Sequence, residues 1–315
     1  MELSKFKLKS GYSYLAAAVI LFLFPLVIRN NYILHISIIV GIYLILGTSL
    51  NIISGVTGEL DLGHAAFFGI GAYVSSLFVQ NIFHSFWLGL ASAAVVSLAF
   101  GILLGIPSLR IRGDYLAIVT LGFNEIVRYV LLNWQSVTNG PLGIHSISLP
   151  TVFGHSINTK QTLFYLVYIL VVLSVAIMSN ISKSRFGRAL VAIRENEIAA
   201  LSMGINTGHY KIWAFAITAA FAGVAGSLFA HYMSFISPMN FTSNESILIL
   251  CMVVLGGKGS LPGSIIGVSV LMLLPEVLRS VSTYRMLIYG LVLIFMMIYR
   301  PNGFWRERRK PQRTA

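Results

Sequence analysis

The sequence predicts an all-α, polytopic membrane helix bundle of about ten spans (eight to ten), with an internal repeat, and three observations predict it. Of 315 residues, 57% are hydrophobic and 10% charged, with a mean hydropathy of +0.83. That is far above the apolar share of a water-soluble domain. Runs of a length that crosses a hydrocarbon core lie near residues 12–28, 33–53, 64–80, 86–106, 115–133, 162–181, 211–235, 245–256, 263–281 and 284–299, the eighth being short. The third observation is where the charge falls. The chain carries 22 Lys and Arg against 10 Asp and Glu, a net charge of +12, which taken alone would suggest an acidic partner such as a nucleic acid. Ten crossings with both termini cytoplasmic put Lys5, Lys7, Lys9, Arg110, Arg112, Lys183, Arg185, Arg188, Arg194, Lys211, Lys258 and the tail from Arg300 inside. Arg29, Lys160, Arg279 and Arg285 fall outside, and Arg128 lies within a span. The basicity is therefore an orientation signal, the bilayer is the partner it addresses, and no nucleic acid is expected.

Residues 1–11 form a short basic cytoplasmic tail, and 12–299 the transmembrane domain. The first apolar run leads into Pro25 and Arg29 with no small-residue cleavage site, so it reads as a retained helix. After two spans, the stretch Ser54 to Tyr73 (SGVTGELDLGHAAFFGIGAY) interrupts apolar sequence with glycine and charge. Non-helical backbone at that depth is tolerated only against protein or a cavity. Two readings stay open: a tight cytoplasmic turn, with Gly69 and Gly71 as helix contacts, or a break on the translocation path presenting Gly58, Glu59, Asp61 and Gly63 to a solute.

From Gly105 to Asn133, Pro107 ends one span, Arg110 and Arg112 mark the cytoplasmic surface, and Asp114 can cap the next helix. That helix carries Thr120, Asn124, Glu125 and Arg128, which lipid would not accept. Glu125 and Arg128, three apart, share a face and can pair, either locking the helix to its neighbours or contacting solute. Residues 134–161, rich in Gly, Ser, Asn, Pro and Thr, form an external loop long enough to be a docking surface. His145 and His155 there, like the isolated His64 and His231, lack the neighbours of a metal site, and Cys251 in an apolar run reads as a packing residue.

Residues 182–210 are polar and basic. Ala189, Ile193, Ala200, Leu201 and Ile205 recur at three- and four-residue steps, which predicts one short amphipathic helix, with Arg188, Arg194, Glu195 and Glu197 on its other faces. Gly204 and Gly208 offer its stop. The small Ala199 and Ala200 before Gly204 would let the helix seat in a groove, and the glycine would turn the chain back to the membrane.

The helix at 211–235 has Ala222 and Gly226 four apart with Gly223 beside them, a pattern for close packing. A second break, Gly256 to Gly263 (GGKGSLPG), repeats the spacing of the first: Gly, two residues, Gly, one residue, Leu. Paired interruptions point to an internal repeat flanking a substrate route, which adds Gly256 and Gly259 to the candidate path. The break is no phosphate loop, because Gly259 and not Ser or Thr follows Lys258, so nucleotide binding by this chain is not expected and no cofactor is assigned to it. Glu276 and Arg279 repeat the acid and base spacing, and residues 300–315 form a second basic cytoplasmic tail. No clustered nucleophile and base is present, so an enzyme is not expected.

Five stretches together, TGELDLGHAAFFGIGAY, LRIRGDYLAIVTLGFNEIVR, TNGPLGI, SRFGRALVAIRENEIAALSMGIN and VVLGGKGSLPGSIIG, resemble the branched-chain amino acid permease family of ABC importers, in its LivM-type branch. The resemblance implies a bacterial inner-membrane complex of this subunit with a second permease subunit, two cytoplasmic ATPase subunits that bind the ATP, and an external solute-binding protein. It also implies that the segment from Arg188 to Gly204 couples to the ATPases. Glu59 and Asp61 depart from the uncharged polar residues more usual in such permeases, which keeps a urea or short-amide importer as an alternative substrate reading. An ion-coupled secondary transporter using Glu59, Asp61 or Glu125 is the alternative of another class.

Overall fold

A computed structural model describes residues 30–277, apart from 110, 112, 153, 154, 157 and 158, together with 290, 294 and 303. The tail 1–11, the run 12–28 and Arg29, Arg110, Arg112, Arg279 and Arg285 lie outside the described residues, as do the run 284–299 and the tail 300–315 except for those three single positions.

Helix α1 (Asn31–Leu50) starts where the Asn30 carboxamide oxygen accepts from the Tyr32 N–H at 2.9 Å. It continues through wider π-helical turns at Asn51–Thr57 and stops at Gly58, whose φ of +81° suits glycine. A chain break at 58–63 leads into α2 (His64–Phe78), which a π-helical turn extends to Phe83. Then follow α3 (Phe86–Gly105), α4 (Asp114–Asn133) and a single turn, α5 (Gln135–Thr138). Long helix α6 (Lys160–Lys183) precedes two short polar helices, α7 (Arg185–Glu195) and α8 (Glu197–Ser202). The chain closes with α9 (Thr207–Met233), α10 (Ser243–Gly256) and α11 (Leu261–Val277).

Among the described residues, seven segments are long and apolar enough to cross a membrane: Asn31–Thr57, His64–Ile82, Phe86–Leu109, Asp114–Asn133, Lys160–Lys183, Thr207–Met233 and Pro238–Gly256. A shorter apolar helix, Leu261–Glu276, follows. The short run at 245–256 reaches 19 residues because the turn at Pro238–Asn240 adds to its front.

Helices α1, α2 and α9 form the centre. A helix that is apolar all round is either enclosed by protein or faces lipid, and α1 is enclosed: Ile38, Ile42, Ile45 and Leu50 are fully buried. Helix α9 lies against α2 so closely that a Cβ on Gly71 would overlap the Gly223 backbone, and one on Gly226 the Phe68 carbonyl. The Ala and Gly stripe thus does the packing its spacing predicts. Phe241 meets Phe68 and Phe229 edge to face beside this contact, and Phe68 and Phe229 meet tilted. The outer helices α3, α4 and α6 turn Val95, Ile118 and Ile169 outward, as lipid-facing helices do.

The segment 134–161 carries short paired strands: β1 (Ile144–His145) pairs antiparallel with β4 (Phe235–Ile236) at the end of α9, and β2 (Thr151–Val152) with β3 (His155–Ser156). One expectation needs correcting. The single amphipathic helix expected within 182–210 is two, because Asn196 takes an extended conformation, φ −162° and ψ 109°. Its side chain then accepts from the Ala199 N–H at 3.0 Å and caps α8, the local competition that makes Asn a better cap than helix interior. Gly208 belongs to the first turn of α9, which Asn206 caps through the His209 N–H.

Candidate functional site

The candidate residues do not converge on one pocket; they are stacked in three layers that start at α7 and α8 and climb into the bundle. In the first layer, Leu190 and Ile193 of α7 dock on Ile52, Val56, Met178 and Ala214. Helix α8 ends in a left-handed glycine: Gly204 has φ +81°, its N–H donates to the Leu201 carbonyl at 2.9 Å, and the Ile205 N–H donates to the Ala200 carbonyl at 3.0 Å. Those two hydrogen bonds make the glycine-terminated helix stop expected there. Ala200 is only 4% exposed and packs with Leu190 and Ile193, so it faces its own chain and not a groove on another. Ala199 is exposed, beside an apolar rim of Ile198, Leu201 and Met203.

Arg194 and Lys211 tie this helix pair to both chain breaks. Arg194 Nη1 donates to the Gly55 carbonyl at 2.5 Å, its Nη2 meets Glu195 at 3.0 Å, and its stem lies where a Cβ on Gly58 would be. The second break reaches the same spot, since the Gly259 N–H donates to Asn51 Oδ1 at 2.8 Å. Lys211, near the start of α9, is 2% exposed, and its Nζ sits 2.7 Å from Glu59 and 3.1 Å from Glu197. Gly256 packs against the Gly263 carbonyl at the junction of α10 and α11. Arg188 stands apart, donating to the Lys183 carbonyl at 3.0 Å.

The second layer is where the break re-enters the bundle. The Leu62 N–H donates to Thr120 Oγ1 at 2.9 Å and the Gly63 N–H to Asp61 Oδ1 at 2.8 Å. Fully buried Asp61 also lies 3.4 Å from His64 Nδ1, and His64 Nε2 is 3.0 Å from Ser49 Oγ. The Ala65 N–H at the head of α2 donates to Ser246 Oγ at 2.9 Å. Irregular backbone here is satisfied by protein groups, as membrane depth demands. His64 is thus not the isolated histidine its sequence surroundings predict. Neither is His231, whose Nε2 meets Ser75 Oγ at 3.0 Å and whose Nδ1–H donates to the Ser148 carbonyl at 2.7 Å.

The third layer lies about half-way through the bundle, since Glu125 is 11 residues into α4, about 16 Å at 1.5 Å per residue. Arg128 Nη2 contacts Glu125 at 2.7 Å, and its guanidinium lies over the Tyr129 ring at 4.7 Å. Ser243, the first residue of α10, donates to Glu125 and accepts from Asn124 Nδ2 at 3.3 Å. Nearby, the Tyr43 hydroxyl donates to Glu245. The acid and base spacing predicts this pair, but the pair is not sealed: Arg128 is 17% and Glu125 31% exposed, and neighbouring Asn244 is exposed.

Sequence reasoning placed Lys211 only as an orientation charge and Glu245 only as an acid ahead of the short apolar run, and it passed over Asn51 and Ser243. A lysine just inside an apolar helix was the available signal for the first, because it must be neutralised or reach water. Nothing local marks Asn51 or Ser243, whose partners lie more than a hundred residues away in sequence.

The model of the family described as branched-chain amino acid transport system / permease component matches residues 32–297. The chain is 43% identical to the high-affinity branched-chain amino acid transport system permease protein LivM of Salmonella typhimurium, and equally to that of Escherichia coli; each match covers 83% of this chain and 67% of the relative. It is 28% identical to permease protein LivH of Escherichia coli, covering 83% of this chain and 90% of the relative. No solved structure matches it.

Proposed function

This chain belongs to the branched-chain amino acid transport permease family, and from that premise we propose how it serves as the membrane permease subunit of an ATP-driven importer. The substrate class we carry over from the LivM and LivH relatives is branched-chain or related hydrophobic amino acids. The complete importer adds a second permease subunit, two cytoplasmic ATPase subunits that bind ATP, and an external solute-binding protein, in a bacterial inner membrane with both termini cytoplasmic. In this arrangement α7 and α8 lie on the cytoplasmic side, and the apolar rim of Ile198, Leu201 and Met203 seats on an ATPase. The ten-span count and the repeat of the two glycine breaks belong to the same reading.

The observation that carries the permease reading is the third layer. Glu125, Arg128 and Asn244 reach the outer surface of this subunit at half depth, where facing lipid would cost several kcal/mol or more per charged group. A water-filled route shared with the second permease subunit gives that face a compatible environment. The reasons for the other readings weaken at the same time. Glu59 faces Lys211, and Asp61 faces His64 and a backbone N–H. Those partners account for both acids without a solute, which weakens the feature that favoured urea, short amides or a coupled cation.

Labelling tests the route. In the assembled importer with Cys251 replaced by Ala, Asn244→Cys should react with a membrane-impermeant, hydrophilic thiol reagent, and Ile169→Cys, outward on the middle of α6, should not. Equal protection of both cysteines would move the route to another face. Leucine uptake into proteoliposomes holding the assembled importer should require ATP and the solute-binding protein.

A further inference from the structure

Resting on the reading of this chain as an importer permease, the geometry points to Lys211 as the positioning residue that transmits movement of the ATPase-facing helices to the first chain break. Three elements meet at its ammonium group. Glu197 is the first residue of α8, Glu59 lies in the 58–63 break, and Lys211 itself belongs to α9, a central helix. The lysine is 2% exposed and the two carboxylates 12% and 15%. A buried ammonium is held only where paired charges offset its loss of water, and here neither acid is sequence-adjacent to it or to the other. The contact is therefore a strut between elements and not a local cap.

What the strut joins gives it a task. On one side, α8 carries the exposed apolar rim at Ile198, Leu201 and Met203. On the other, Glu59 follows the left-handed hinge at Gly58 and precedes Asp61, Leu62 and Gly63, whose bonds to one another and to Thr120 fix the head of α2 against α4. A displacement of α8 moves Glu197, and through Lys211 it loads the segment that sets where α2 begins. Arg194 reinforces the same joint from α7 through Gly55, but its bonds run to backbone and to its own neighbour, Glu195. Lys211 alone of the two joins the acids of the break and the helix pair.

The test uses the assembled importer, with ATP hydrolysis and leucine uptake measured on the same preparations. Lys211→Met should leave two buried carboxylates uncompensated and can fail to assemble. The neutral set Lys211→Met, Glu59→Gln, Glu197→Gln removes that burden and keeps the side-chain volumes. We expect this set to insert, to bind its ATPases and to hydrolyse ATP, with uptake per ATP reduced by about tenfold, within the usual range for coupling between sites. Lys211→Arg, which keeps the charge, should recover most of the ratio. A neutral set that assembles and transports at the normal ratio would overturn the assignment and leave Lys211 a packing residue. A neutral set that does not assemble would overturn it too, by showing that the charges hold the fold itself. Failure of the permease reading looks different: the unaltered complex would show no ATP-dependent uptake.

Discussion

Two of the groups of ion-paired side chains among the described residues lie at different depths, and they differ in how many elements each one joins. Glu125 and Arg128 sit one turn apart on α4, partly exposed, with Ser243 of α10 as an added hydrogen-bond partner. Glu59, Lys211 and Glu197 come from a chain break, a central helix and a short polar helix, and are nearly enclosed. A pair on one helix can form whatever the rest of the bundle does, so it reports on the face it occupies. A cluster drawn from three elements exists only while those elements keep their places, so it reports on, and constrains, their arrangement. The half-depth pair is suited to line a route, and the enclosed cluster is suited to hold a joint.

The largest expected effect breaks the enclosed cluster. Lys211→Ala leaves two acids in a space nearly closed to water, and removing one partner of a buried ionic group costs about 3–5 kcal/mol. Thermal stability of the detergent-solubilised importer should fall sharply. Arg128→Ala removes a comparable charge from the half-depth pair. Because Glu125 retains access to its outer face, the loss there should be about 1 kcal/mol or less, as for exposed pairs. Equal losses from both substitutions would erase the distinction between joint and lining.

Gly58→Val comes next. The position is left-handed at φ +81°, and a Cβ there would meet the Arg194 stem. The left-handed conformation costs a branched residue about 1–2 kcal/mol, and overpacking adds ~1–3 kcal/mol. The variant should resemble Lys211→Ala in stability and not Arg128→Ala. A variant as stable as the parent would show that the joint yields freely.

The same difference explains what was legible beforehand. The half-depth pair is visible as acid and base three apart inside an apolar run, since helical periodicity puts them on one face. The breaks are visible as glycine clusters, and the stop at Gly204 as glycine behind an amphipathic run. The enclosed cluster is not visible, because Glu59 and Lys211 are separated by about 150 residues and only the packing of α9 beside the first break brings them together. Read locally, Glu59 looks available to a solute. The split at Asn196 was likewise hidden: the apolar steps on both sides keep nearly the same period, and only the extended backbone of one residue interrupts it. Ala200 shows the limit of reading residue size, since a small side chain suits a groove on a partner and equally a close contact within its own chain. Its burial among Leu190 and Ile193 selects the second.

The smallest expected effect separates backbone strain from contact at the stop of α8. Gly204 and Gly58 share the same left-handed φ of +81°, but a Cβ on Gly204 meets nothing within 4 Å, while one on Gly58 meets Arg194. Gly204→Ala should therefore cost only the conformational term, about 1 kcal/mol, and Gly204→Asn less, because asparagine tolerates the left-handed region. Gly58→Ala should exceed Gly204→Ala by the full price of displacing the arginine stem. Since Gly204 sets the exit of the helix that carries Glu197, its alanine variant should lower ATPase co-purification slightly and leave membrane insertion unchanged. The decisive measurement is the order of the three thermal midpoints: Gly204→Asn above Gly204→Ala, with Gly58→Ala lowest. If Gly58→Ala and Gly204→Ala melt together, Arg194 moves aside without cost, and the tie between α7 and the first break is looser than the 2.5 Å bond from Arg194 to Gly55 implies.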